Sequence, residues 1–250
     1  MYHIKRIILV LNLAGISFAV YADMTAGLAV AAGQNPYKDY DTMVMPIPVI
    51  QYQKDRFYFD SFKVGVNVVN QESTKVDIHT SYLPLEFKGS KTDDKQLKKL
   101  DRRKSTLLSG AGISHQFSQQ KTTVKASLSA DILDNSNTVL GEVALNHHFQ
   151  ITEKAVVIPT IGVLWANKKH NTYYYGVSSK ESTKTGISQY KADSSAHPYL
   201  GIHLHYGLKE NIALFASGRV DFLSDQVKDS PMVDRSTITA IAVGATYSFK

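Results

Sequence analysis

Apolar and polar residues alternate one by one along much of the chain after residue 22. Between residues 124 and 132, every second side chain is apolar, namely Val124, Ala126, Leu128, Ala130 and Ile132. Successive side chains of a β-strand point to opposite faces, so this period of two predicts a strand with one apolar face and one polar face. A helix would repeat its apolar positions every three or four residues instead. The pattern therefore predicts an all-β protein.

Twelve segments show comparable patterns, and we predict one strand in each. They are residues 24–33, 42–53, 56–60, 63–69, 76–87, 104–117, 121–133, 138–150, 155–166, 196–208, 212–223 and 236–249. Most have the length that a tilted strand needs to cross the hydrocarbon core of a membrane. No continuous apolar stretch long enough for a spanning helix follows residue 22. Because every backbone N–H and C=O needs a protein partner inside a membrane, we predict an antiparallel transmembrane β-barrel of twelve strands.

The connections between these segments are of two kinds. Three are long and polar, at residues 89–103, 167–195 and 224–235, whereas those at residues 118–120, 151–154 and 209–211 are short. Bacterial barrels have short periplasmic turns and long external loops, so the long segments are expected outside and both termini in the periplasm. The polar faces are expected to line the lumen, with Lys125, Asp131, Arg219 and Asp221. Aromatic residues near strand ends, Phe87 among them, are expected in the girdles at the membrane interfaces.

The first 22 residues have the form of a secretion signal. Lys5 and Arg6 precede an apolar run from residue 7 to residue 20, and Ala22 supplies a small residue for cleavage. The run is shorter than the roughly 20 residues that a membrane anchor needs. We therefore expect cleavage after Ala22 and a single barrel domain over residues 23–250. Removing Lys5 and Arg6 lowers the formal net charge from +6 to +4, and an exported basic protein is expected to contact anionic lipid, with no role for nucleic acid.

One polar segment carries a resemblance to a known family. Residues 171–177 read Asn-Thr-Tyr-Tyr-Tyr-Gly-Val, and Glu181-Ser182, Gly186 and Tyr190 follow. This run resembles the MipA/OmpV family of outer-membrane proteins, with further similarity at residues 48–52, around Gly65, at Arg102-Arg103 and in the closing hairpin. Lys250 departs from the pattern, because barrel chains usually end on an aromatic residue, here Phe249.

The resemblance implies a location in the outer membrane of a Gram-negative bacterium. It also implies a scaffolding or binding protein that links a lytic transglycosylase to a peptidoglycan synthase, a penicillin-binding protein. Other members of the family act as adhesins or pores, so a small-solute pore or an adhesin is the alternative.

Two groups of residues are candidate binding sites. Tyr173, Tyr174 and Tyr175 are adjacent rings in a long loop, where they either bind a protein or glycan or fold inward and plug the lumen. A basic cluster lies in residues 89–104, where it could bind the phosphates of lipopolysaccharide or be an ordinary solvated loop; its members are Lys98, Lys99, Arg102 and Arg103.

Histidine and serine are frequent enough to raise the question of catalysis. His203 and His205 fall on one face of a predicted strand, yet no serine stands in a nucleophile-elbow pattern and no third metal ligand is evident. The sequence therefore predicts no catalytic, metal or cofactor site, and a protein that is not an enzyme.

Overall fold

The computed structural model describes residues 24–117 and 121–249, so the predicted signal segment lies outside the described residues. Within them the chain forms thirteen strands and three short helices. The strands are β1 (Met24–Gly33), β2 (Met43–Lys54), β3 (Phe57–Asp60), β4 (Lys63–Asn70), β5 (Thr74–Leu83), β6 (Thr106–Phe117), β7 (Thr122–Asp131), β8 (Val139–His147), β9 (Phe149–Gln150), β10 (Ala155–Ala166), β11 (Ser195–Lys209), β12 (Ile212–Phe222) and β13 (Thr237–Phe249). The helices are α1 (Lys168–Tyr175), α2 (Ser179–Thr185) and α3 (Asp225–Lys228), and 3₁₀ turns form at Gly89–Lys91 and Leu97–Lys99.

The strands close into a barrel. Each pairs antiparallel with its neighbours, and β13 pairs with β1 from Met24 opposite Phe249 to Gly33 opposite Ala240. Strands β8 and β9 both pair with β10 and are two parts of one strand, interrupted at His148. The predicted antiparallel barrel of twelve strands is therefore confirmed. No helix among the described residues is long and apolar enough to cross a membrane.

The two faces of the wall differ in polarity. Leu128, Val143 and Ile241 point outward and are each more than half exposed, whereas their chain neighbours Ser129 and Ala144 point inward and are buried. Soluble proteins seldom expose a continuous apolar surface, but an outer-membrane barrel turns such a band towards lipid. The alternation that predicted the strands thus separates a lipid-facing surface from the lumen.

Strand β5 ends earlier than predicted. We expected a strand to residue 87, but the ladder stops at Leu83, one residue before Pro84. Proline is disfavoured inside a sheet, so the strand is expected to end near this position. Phe87 consequently leaves the wall and is fully buried, and its predicted place in an interfacial girdle is wrong.

Candidate functional site

Five loops meet over one end of the barrel, which we call the external end. They comprise residues 34–42, 84–105, 132–138, 167–194 and 223–236. The loops enclose a buried apolar core that we call the lid core: Tyr37, Tyr40, Phe87, Leu97, Leu100, Tyr174, Tyr175, Val177, Ile187, Val227, Met232 and Val233. The sequence indicated long polar loops at residues 89–103, 167–195 and 224–235, but its patterns did not predict this core. The available signal was the isolated apolar residues that recur within the polar stretches.

Tyrosine side chains connect the loops of the lid. Tyr37 is fully buried, and its hydroxyl donates to the backbone carbonyl of Tyr174 over 3.1 Å. The hydroxyl of Tyr174 donates to the carbonyl of Lys104 over 2.9 Å, and that of Tyr173 accepts from the N–H of Lys104 over 2.8 Å. Burial raises the pKa of both Tyr37 and Tyr174, so these hydroxyls remain neutral donors.

The structure thus favours one of the two interpretations of the tyrosine run. Tyr174 and Tyr175 are buried and fold inward, and only Tyr173 keeps an exposed portion. The two buried rings stabilise the lid rather than offering surface to a partner.

Local signals in the sequence build the two helices of the lid. Asn167 caps α1, its side chain accepting from the N–H of His170 over 2.9 Å. Helix α2 begins with a capping box, in which Ser178 and Glu181 each accept from the other's backbone N–H. It ends at Gly186, whose φ of 76° is a left-handed conformation that glycine adopts without strain. These caps fix the position of Glu181.

A buried ion pair joins two loops that are far apart in sequence. The guanidinium of Arg103 lies 2.8 Å from the Glu181 carboxylate and also donates to the carbonyls of Asp101 and Gly176, over 2.8 and 3.0 Å. Glu181 additionally accepts from the N–H of Asp101 over 3.1 Å. Burial alone would raise the pKa of Glu181, but the hydrogen bonds from Arg103 and Ser178 lower it to about 2. Arg103 is therefore a structural residue of the lid, without exposed charge for a ligand.

Two loops of the lid contain more basic than acidic residues. Loop 84–105 contains eight basic and four acidic residues, and loop 167–194 contains five basic and two acidic residues. Lys98, Lys99 and Arg102 are exposed, and of these Lys98 pairs with Asp93 over 3.4 Å and Arg102 with Glu86 over 3.3 Å. The exposed pair of Lys98 with Asp93 contributes little stability, so this cation remains available to other anions.

Below the lid, a cluster of charged side chains lies on the inner wall of the barrel, over strands β8 to β12. Tyr199 lies over Gly162 of the neighbouring strand, and its hydroxyl donates to Glu142 over 2.7 Å. Arg219 stacks on the ring of Tyr199, 3.5 Å from its centre, and forms a 2.6 Å ion pair with Asp221. The predicted inward direction of Arg219 and Asp221 agrees with this arrangement.

A second cluster of the same kind lies on β3, β4 and β5. Tyr58 covers Gly65, and its hydroxyl donates to Asp77 over 2.7 Å. Lys63 and His79 also contact this carboxylate, at 3.4 and 2.6 Å. In both clusters a glycine leaves room for a tyrosine ring that reaches a carboxylate two strands away.

The structure places one of the two histidines considered above, His203, beside a serine of the neighbouring strand. His203 contacts the hydroxyl of Ser217 over 2.8 Å and stacks against Phe215. No group of three His, Cys, Asp or Glu side chains placed to hold a metal occurs within residues 24–117 and 121–249.

The opposite end of the barrel, which we call the periplasmic end after the orientation that the sequence predicts, has short connections. Residues 55–56, 71–73, 151–154 and 210–211 are tight turns with exposed charges. Asp55 adopts a positive φ of 52°, which permits the narrow turn between β2 and β3. Lys154, Lys209 and Glu210 are all exposed and form part of this surface.

Comparison with known families and proteins agrees with the fold. Residues 26–249 match the model of the family described as "MltA-interacting protein MipA". The chain is 37% identical over 244 residues to the MltA-interacting protein of Escherichia coli K12, covering 97% of this chain and 96% of that protein. It is 32% identical to the putative outer membrane protein YiaT of the same strain, covering 98% of each.

Solved structures share the architecture at low sequence identity. The NanC porin superposes with a TM-score of 0.50 at 6% identity, over 89% of this chain and all of that one. The translocator domain of the autotransporter NalP from Neisseria meningitidis gives 0.51 at 10% identity, over 90% of this chain and 88% of that one. These similarities support the outer-membrane barrel fold alone.

Proposed function

This chain belongs to the MipA family of outer-membrane β-barrel proteins, and from that membership we propose that its periplasmic end binds a lytic transglycosylase. The relative that is 37% identical over nearly its whole length is named for interaction with MltA. We extend the proposal to a scaffold that also brings a penicillin-binding protein, a peptidoglycan synthase, to the same place.

The observation that carries the proposal is the contrast between the two ends of the barrel. The external end is covered by the lid core, whereas the periplasmic end presents short turns with exposed charges. Murein enzymes work in the periplasm and can reach only this second end. Rigid turns on a closed sheet also provide a binding surface that needs little ordering when a partner binds.

A small-solute pore is the second candidate, because charged side chains line the lumen. One feature opposes it: the lid covers the external mouth. A pore would give steady ion conductance in a planar bilayer, whereas a scaffold with a closed lid would give none.

The exposed cations of the lid support a separate proposal. We propose that Lys98, Lys99 and Arg102 contact the phosphates of lipopolysaccharide at the outer surface. Each cation beside an anionic leaflet contributes about 1 kcal/mol. Arg103 is excluded from this contact because Glu181 occupies its guanidinium.

The scaffold proposal is tested by measuring the affinity of the folded barrel in detergent for a purified lytic transglycosylase of the MltA type. In one variant, Lys154→Glu and Lys209→Glu reverse two exposed periplasmic charges. A matched control, Lys98→Glu with Lys99→Glu, makes the same charge change on the lid.

We expect the periplasmic variant to bind about tenfold more weakly, a loss of about 1.4 kcal/mol, and the control to bind like the wild type. Failure of the wild type to bind would refute the scaffold function. Equal binding by both variants and the wild type would show that the transglycosylase does not bind at these periplasmic turns.

A further inference from the structure

The hydrogen-bonded wall of the barrel is interrupted in its external half, between β2 and β5. Strand β3 has only four residues, and the chain turns back at Ser61, which has a positive φ of 47°. Ile50 accepts from the N–H of Ser61 over 2.7 Å, and Phe62 accepts from the N–H of Tyr82 over 2.9 Å. Beyond this turn, no strand among the described residues pairs with the β3 side of residues 43–49.

The opening is bounded on all four sides, and we call it the window. Its lower edge is the turn at Ser61 and Phe62, and its sides are β2 and the segment that continues β5. Its upper edge is a bridge between Tyr40 and Thr92, supported by a 3.0 Å hydrogen bond from the N–H of Asp41 to the carbonyl of Lys91. The window is therefore a defined feature of the wall below the lid.

Three prolines explain why the wall does not close there. Alternate residues of a strand direct their N–H groups to the same neighbour, and Ile50 bonds to the β3 side. Pro48 and Pro46 lie two and four residues before Ile50, so the N–H groups that they lack would have pointed to the same side of β2. That side is the window side. On the opposite side of the window, Tyr82 donates its N–H to Phe62. Pro84, two residues later, lacks the N–H that would point the same way. Three of the donors that hydrogen bonding across the window would use are therefore missing.

Apolar side chains surround the window and lie behind it. Val44, on the outer face of β2, is 69% exposed. On the inner face, Ile47 packs with three alanines of β1 and β13, and the partly buried side chains Met43, Met45 and Phe62 pack against this group. All the residues of this group are apolar, unlike those of the clusters around Tyr199 and Tyr58.

From this geometry we propose that the window binds an acyl chain of a lipid in the outer leaflet. The external half of an outer-membrane barrel lies at the depth of those chains. A strand of another protein, or of a second copy, would lack donors from the prolines on both sides. The same prolines reduce the number of unsatisfied N–H groups that would face hydrocarbon. An apolar chain matches the apolar side chains around the window and needs none of the three missing donors.

The test uses single-cysteine variants, since the chain contains no cysteine. Met45→Cys places a bimane fluorophore on the inner face of β2 behind the window. Ser127→Cys is the matched control, because it lies on the inner face of β7 between two fully paired strands. Leu128→Cys, on the outer face of β7, gives the signal of full lipid contact. Each labelled protein is reconstituted in phosphatidylcholine vesicles with and without phosphatidylcholine that carries a nitroxide in the middle of its acyl chain.

An intact wall keeps inner side chains about 10 Å from lipid, so we expect little quenching at Ser127→Cys. At Met45→Cys we expect about half or more of the quenching seen at Leu128→Cys. Quenching at Met45→Cys no greater than at Ser127→Cys would overturn the proposal, because the protein's own side chains would then fill the window. Quenching at Met45→Cys by aqueous iodide but not by the labelled lipid would also overturn it. Heat-modifiable migration verifies folding, and Met43→Cys replaces Met45→Cys if that variant does not insert.

Discussion

The ion pair between Arg103 and Glu181 is expected to hold the lid closed, and Glu181→Gln tests this. In the folded lid the pKa of Glu181 falls from 4.5 to about 2. That difference corresponds to a preference of about 3 kcal/mol for the charged carboxylate. Removing one partner of a buried ion pair costs about 3 to 5 kcal/mol, because the other charge stays buried without compensation. The two magnitudes agree.

We therefore expect Glu181→Gln to raise the population of the open lid about 100-fold while the barrel stays folded. Hydrogen exchange followed by mass spectrometry measures this directly, by comparing peptides of residues 167–194 with peptides of the barrel strands. Lys184→Gln is the control, because it removes an exposed pair with Asp101 that is worth less than about 1 kcal/mol.

The pH dependence has a defined sign. Because folding lowers the pKa of Glu181, its contribution is complete above pH 4.5 and is lost as the pH falls towards 2. If the lid of Glu181→Gln exchanges as slowly as that of Lys184→Gln at neutral pH, the ion pair does not hold the lid and the reasoning is refuted.

Three further predictions concern the lid, the lumen and the outer surface. Burial lowers the pKa of His170 from 6.5 to about 3, so the lid is most stable above pH 6.5 and loses stability as the pH falls. At pH 5 this loss is about 2 kcal/mol. His170→Gln should flatten the pH dependence of lid opening in hydrogen exchange. Gly162→Ala should displace the ring of Tyr199 and destabilise the barrel by about 1 to 3 kcal/mol in urea unfolding, whereas Gly218→Ala, whose added Cβ meets its nearest side chain at 3.7 Å, should cost less. Neutralising three exposed cations should weaken binding to anionic vesicles by about 1 kcal/mol each, in a flotation assay with Lys98→Gln, Lys99→Gln and Arg102→Gln.

The sequence alone determined the architecture of the wall. A period of two is a local property, since each residue need only alternate with its chain neighbours to lie on the correct face. For this reason strands β1 and β10 begin and end at the predicted residues, and Arg219 and Asp221 point inward as expected. The tight turn at Asp55 and the caps of α2 are equally local, because the groups that form them lie within a few residues of each other.

Tertiary structure alone decided the fate of the long loops and the opening in the wall. Arg103 and Glu181 are 78 positions apart, and Tyr37 and Tyr174 are separated by 137, so no short pattern distinguishes these buried groups from the exposed Lys98 and Lys99. Their burial depends on which loops converge over the barrel end, and closure of the whole sheet sets that convergence. The window depends in the same way on the fold. The missing N–H groups of Pro46, Pro48 and Pro84 face the same gap only once the sheet brings β2 and β5 opposite each other.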